Sequence, residues 1–239
     1  MRGSLRFALH RYGRAEILNN MKIKLVSVAV VILTALLIVS VGITLPILFR
    51  PFYYMQINAL ELPESTGLTF SDIKVAYDEM MDFCIGLRPD FSAGILRFSE
   101  EGASHFADVR TLFFIDFAII GICAVSLAAI AIILKKKKLT LYRFFGRSAP
   151  FWSVVSIGTV SALIGISCAI NFNRTFVFFH KIFFIGKTNW AFDPFDDPII
   201  YLLPNEFFSN CAILIFAVIL IFSISILLYE FLSRKRNND

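Results

Sequence analysis

Four long apolar runs fix what this chain can fold into before any finer pattern is read. They are Leu25–Phe49, Thr111–Leu134, Ala149–Asn173 and Phe207–Tyr229, and the second carries one charge, Asp116. Each is long enough to cross a hydrocarbon layer of about 30 Å as a helix. No water satisfies backbone N–H and C=O groups inside that layer, so a segment that pairs all of its own is required. The alternating stretches of about ten residues that build membrane barrels are absent. Composition agrees, with 57% hydrophobic residues, 27 phenylalanines and only 17% charged residues, outside the range of soluble domains. The expectation is an all-α integral membrane protein with four transmembrane helices, a single membrane domain over residues 1–239.

Lysine and arginine set the orientation. Arg2, Arg6, Arg11, Arg14, Lys22 and Lys24 precede the first run, and Lys135–Lys138, Arg143 and Arg147 separate the second from the third. Arg234, Lys235 and Arg236 follow the fourth. The positive-inside rule then puts both termini in the cytoplasm and leaves two large extracytoplasmic loops, 50–110 and 174–206. The first loop holds ten acids, from Glu61 to Asp108, against five bases. These flanks explain the net charge of +5. Lys135–Lys138 abuts a span, which fits membrane lipid headgroups and not nucleic acid. The first run is too long for a cleaved signal and lacks a small-x-small site, so it reads as an anchor. Met21, followed by Lys22 and Lys24, would also serve as a start, which marks residues 1–20 as a candidate extension.

The loops contain amphipathic and interfacial segments. The run from Arg50 through Tyr54 is the mix of aromatic and basic residues found at membrane–water interfaces. Pro63–Gly67 reads as a turn. Ser71 is the expected cap of a helix that repeats Ile73, Tyr77, Met80 and Cys84, lying on the bilayer or roofing a cavity. Residues 91–98 fit a short strand or an extended linker. A further helix should begin at Ser99, with Glu100 and Glu101 in its first turn, and run on into the second span. The second loop has twelve aromatics between Phe172 and Phe208, too apolar for water and too rich in proline to span. It should fold down at the outer leaflet, with Trp190 as an interface anchor.

Two of the chain's three histidines, His105 and His180, fall in these loops. Imidazole carries protons near neutral pH. Glu101, His105 and Asp108 stand at i, i+4 and i+7 of the expected helix, so either acid is placed to orient the ring; a solvated polar stripe has the same spacing. His180, among phenylalanines, should resist charging because burial disfavours imidazolium, as it would in an ordinary core histidine. Zinc spacings such as H-E-x-x-H and the G-x-S-x-G elbow are missing. The four cysteines have no metal or redox spacing and read as small apolar packing residues. No cofactor and no metal is expected.

Three segments carry a resemblance. Pro51–Tyr54 precedes the first loop's helices, Phe98–Val109 reads F-S-x-E-x-x-x-H-x-x-D-V, and Phe179–Asp197 reads F-H-K-I-x-F…W-x-x-D-P-x-x-D. Their order and the four spans resemble the bacterial lipoprotein intramolecular transacylases (Lit), from about Met21 to the fourth span. The resemblance implies transfer of the sn-2 acyl chain of a diacylglyceryl-modified lipoprotein to the amine of its N-terminal cysteine, at the outer leaflet of the bacterial cell membrane. The family's two histidines map onto His105 and His180. His105 then suits the base and His180 the second proton carrier or oxyanion partner, with Arg97, Arg174 and Tyr77 as candidate donors. Two other classes fit the same residues: a non-enzymatic assembly or regulatory protein of the membrane, and a phospholipid acyltransferase or hydrolase.

Overall fold

A computed structural model describes the backbone of residues 2–238 and the side chains of residues 19–236. His10 and most of the candidate extension have side chains outside the described residues. Among the described residues there are eight α-helices, one 3₁₀ turn and no strand. The four long helices are α1 (Arg2–Leu48), α5 (Glu100–Lys137), α6 (Ala149–Ile170) and α8 (Asn205–Asn238). Each contains a stretch long and apolar enough to cross a membrane, beginning at Asn19 in α1. Their lipid-facing sides stay apolar and exposed, as at Leu25, Ile122, Leu163 and Ile221.

Two spans approach closely at a small residue. Gly42 of α1 lies against α8, where an added Cβ would sit 3.4 Å from the Ile215 carbonyl oxygen. Without a hydrophobic drive between helices in lipid, such small-residue contacts are how spans associate. Asp116, buried in α5, accepts a hydrogen bond from Thr44 of α1 at 2.7 Å. An intramembrane carboxyl group needs such a partner. At the end without large loops, Glu230 of α8 pairs with Arg143 and Arg234.

Both large loops gather at the opposite end. Between α1 and α5 come α2 (Pro51–Ala59), α3 (Leu62–Thr66) and α4 (Phe70–Cys84). Between α6 and α8 come α7 (Phe172–Phe183) and the 3₁₀ turn Pro198–Leu202, which packs on α3 and α4. Residues 63–67, expected as a turn, instead form most of α3, which Gly67 ends in a left-handed conformation. Helix α4 starts one residue before Ser71, because Thr69 and Asp72 form a reciprocal capping box. Residues 91–98 are an extended linker with a turn, not a strand. Asn171 is extended; it ends α6 and caps α7 through the Arg174 amide.

A continuous core ties these pieces together. Tyr53 stacks on Tyr77 with centroids 3.6 Å apart and donates to the Leu202 carbonyl at 2.9 Å. Arg50, at the end of α1, pairs with Asp78 and Asp82 of α4. The aromatic and basic segment that looked like an interface anchor is thus folded into the loop core.

Candidate active site

Helix α5 is 38 residues long, about 57 Å at helical rise, against about 30 Å of hydrocarbon. Its apolar stretch is Thr111–Leu134, so the first turns project beyond the span and carry His105 among the loops. Two contacts fix that end. The Ser99 hydroxyl accepts from the Gly102 amide at 2.9 Å, capping the helix. The buried Asp197 carboxylate, from the second loop, accepts from the Ser99 amide at 2.8 Å and its hydroxyl at 2.7 Å. Gly102 is needed there, since a Cβ would collide with the same carboxylate.

Helix α7 carries His180. Its Nδ1 lies 2.8 Å from the Phe176 carbonyl, so Nδ1 carries the proton and Nε2 keeps the lone pair. The two imidazoles come together with ring centroids 6.0 Å apart and planes 29° from parallel. Phe184 touches both rings, at 4.8 Å from His105 and 5.5 Å from His180. Phe192 meets His105 edge-on, and Trp190 lies 5.1 Å from His180. Both histidines are buried, at 5% and 8% exposure. Burial, reinforced by neighbouring His180, pushes His105 down to about 4. Burial also lowers His180, against the opposing pull of the Phe176 carbonyl. Each imidazole is therefore neutral at physiological pH. His105 Nδ1 is buried and has no hydrogen-bond partner among the described residues.

The pair opens on a cavity of about 360 Å³. Aromatics of the second loop (Phe184, Trp190, Phe192) line it together with Tyr77, Met80, Met81 and Cys84 of α4. Further lining from Ile43 and Ile47 of α1, Leu112 and Phe113 of α5, and Cys211 and Ile215 of α8 carries it in between the spans. A nearly all-apolar chamber with two imidazoles suits a lipid chain whose polar junction is held at the histidines. The Cys84 thiol is pushed up to about 12 by burial, which makes it inert as a nucleophile.

The residues expected to support the histidines separate into two groups. Tyr77 lines the cavity; burial raises its phenol, and its hydroxyl has no hydrogen-bond partner among the described residues. Glu101 is exposed and makes no bond to His105, although it shares the helix face. Asp108 turns instead to Lys187 and to the Asn189 amide, 3.0 Å away. Arg97 stacks over Phe195 at 3.8 Å, outside the cavity lining. Arg174 lies in a separate groove with Asn173, Val177, Phe178 and Lys181, because it occupies the side of α7 away from His180. Trp190, expected as an anchor, packs on His180. Asp197 and Phe184 both stand in the Phe179–Asp197 motif, but sequence alone assigns neither a role; the structure makes Asp197 the clamp on Ser99 and sets Phe184 against both imidazoles. Among the described residues no three of His, Cys, Asp and Glu gather in a way that would hold a metal ion.

These features define a multi-pass α-helical membrane protein with a histidine-bearing cavity at its loop-rich end. The family model for the lipoprotein intramolecular transacylase Lit matches residues 28–208, and the chain belongs to that family. Solved structures of Lit from Bacillus cereus share the fold. One, determined in meso, has a TM-score of 0.81 at 26% identity, covering 92% of this chain and 100% of that one. A form with one histidine replaced by arginine gives 0.75 at 26% identity, over 94% and 98% of the two chains. A form with histidine replaced by alanine gives 0.77 at 25% identity, over 94% and 100%. No curated protein matches the chain.

Proposed function

We propose that this protein converts diacylglyceryl lipoproteins to the lyso-form by moving the sn-2 acyl chain to the α-amine of the N-terminal cysteine. The observation that carries the reading is the pair of neutral imidazoles, 6.0 Å apart, on one apolar cavity. The amine nitrogen attacks the ester carbonyl, a C–N bond forms, the bond from that carbonyl to the glyceryl oxygen breaks, and that oxygen takes a proton. One proton thus leaves nitrogen and one reaches oxygen, which is work for a base and an acid. Amine and ester belong to one molecule, so holding them in attack geometry supplies much of the acceleration.

Sequence alone gives the base role to His105, but the hydrogen bonding favours an exchange. His180 has its tautomer set by the Phe176 carbonyl, leaving Nε2 as the acceptor. His105 lacks such a bond, and a substrate oxygen would supply the partner that the protein does not. His180 is therefore assigned the base, and His105 the relay that carries the same proton on to the leaving glyceryl oxygen, so that both rings end neutral. Tyr77 is the one other hydroxyl donor of the cavity wall that could meet the oxyanion. No metal or cofactor enters this scheme.

The basic flanks at the opposite end of the bundle support a cavity on the outer face of the bacterial cytoplasmic membrane. The test is expression in a bacterial strain lacking other lipoprotein N-acylating enzymes, followed by mass spectrometry of lipoprotein N-termini. An N-acyl, monoacylglyceryl cysteine is expected. Free fatty acid with an unmodified amine would mean hydrolysis and would overturn the reading.

A further inference from the structure

Beside the histidine cavity lies a second cleft of about 460 Å³, at the junction of α6 and α7 and along the first turns of α8. Its lining is much more polar than the cavity's, with Phe172 as its one aromatic. Four asparagines line it (Asn171, Asn173, Asn205 and Asn210), together with Ser209 and one acid, Glu206. Asn205 also lines the histidine cavity, so this one residue borders both spaces. Some of the amide capacity is used internally: Asn171 Oδ1 caps α7, and Asn210 Nδ2 donates to Gln56 Oε1 at 2.7 Å. The Asn210 oxygen and both polar ends of Asn173 and Asn205 make no hydrogen bond among the described residues.

We propose that this cleft is the subsite for the polypeptide of the substrate, the residues that follow the acylated cysteine, held through their backbone amides. The inference rests on the transacylase reading, which puts the cysteine at the histidines and obliges the peptide to leave the cavity. A carboxamide offers a donor and an acceptor side by side, the complement of a peptide N–H and C=O. Recognition of that kind is independent of side-chain sequence, as an enzyme acting on many lipoproteins requires. A phosphate-bearing headgroup is a poor fit, because no lysine or arginine lines the cleft; Arg174 and Lys181 line the neighbouring groove.

The test compares two synthetic substrates with the full-length protein in a lipid bilayer mimic: diacylglyceryl cysteine amide, and the same lipid on a cysteine followed by four neutral residues. Two hydrogen bonds of ordinary strength correspond to about tenfold, so the peptide form should have a kcat/KM about tenfold higher. In the double variant Asn173→Ala, Ser209→Ala the ratio of the two kcat/KM values should fall toward one, whatever the absolute activity. Equal turnover of both substrates by the unaltered protein would overturn the inference and leave the transacylase reading standing. Turnover of neither would remove the reading itself, and the inference with it. A second measurement needs no variant: a peptide carrying a photoreactive side chain two residues after the cysteine should label residues 171–172 or 205–210, since Asn173 borders both this cleft and the Arg174 groove. Labelling confined to the Arg174 and Lys181 groove would overturn the assignment.

Discussion

His105 and His180 are held neutral because the aromatic rings around them exclude the water that would solvate an imidazolium. Replacing either by alanine should remove a proton-transfer group, a loss of about 10²–10⁴ in rate. Lyso-form synthesis, read by mass spectrometry, should collapse while the amount of protein in the membrane is unchanged; full activity in either variant would remove that histidine from the mechanism. The pH profile gives a second check. The lowered values keep both rings unprotonated through the neutral range, so neither should set the limb that is visible there. The substrate's α-amine, at about 7.7–8, should set it instead. Activity is then expected to rise with pH to a plateau above about 8, and a limb near 6.5 would contradict the assignment. Stability follows the opposite side of the same shift. The unfolded histidines bind protons from about 6.5 downward, whereas His105 in the fold resists until about 4. Thermal stability should therefore fall as pH drops from 6.5 toward 4, and be unaffected by His105 above that window. The acids flanking His105 in sequence misled because spacing on a helix reports a shared face, not a bond; Lys187, from the second loop, claims Asp108.

At the scale of elements, several contacts tie the second loop to α5, and the one at the start of that helix is the grip of Asp197 on Ser99. It joins the helix that carries His105 to the loop that follows α7 and His180. Asp197→Ala leaves the Ser99 amide without its charged acceptor, a loss of about 1.5–3 kcal/mol. Gly102→Ala forces a methyl group into the same carboxylate, an overpacking cost of about 1–3 kcal/mol. Both variants should melt earlier and lose activity. Because they disturb one contact, the double variant should cost less than the two single losses added; strict additivity would mean that the junction is not the common cause. The start of α5 at Ser99 was legible, since a serine before two acids is a local signal. The partner of that serine was not, because no local rule connects it to a residue in another loop. The cap of α4 lies two residues before the Ser71 that the sequence suggests for a related reason: Thr69 caps the helix because Asp72 reciprocates. Trp190 shows the same limit, with a composition typical of an interface and a position set by packing on His180.

Across the whole molecule, the membrane explains why so much of the architecture could be read from composition. A bilayer demands long apolar helices, so four apolar runs give four candidate spans with no knowledge of tertiary contacts. The convergence of the two loops over one end of the bundle is different, since it depends on long-range packing such as Tyr53 with Tyr77 and Leu202. Sidedness lies between these cases: the charges are in the sequence, but a membrane potential and a translocation machinery act on them. The expected outcome is that reporter fusions after Gln56 and Asn189 read as external, and those after Lys138 and at the C-terminus as cytoplasmic. Three basic segments must agree for this to hold: Lys22 with Lys24 before the first span, Lys135–Lys138, and Arg234–Arg236. Each lies close enough to a span for the positive-inside bias to count it. Reversal of one segment would be inconsistent with the bundle, in which both histidine-bearing loops share an end. A cytoplasmic reading at Asn189 would therefore invert the entire molecule and put the cavity on the face where no secreted lipoprotein presents its N-terminus. The fusion at Asn189 alone decides whether the histidine pair can meet its proposed substrate.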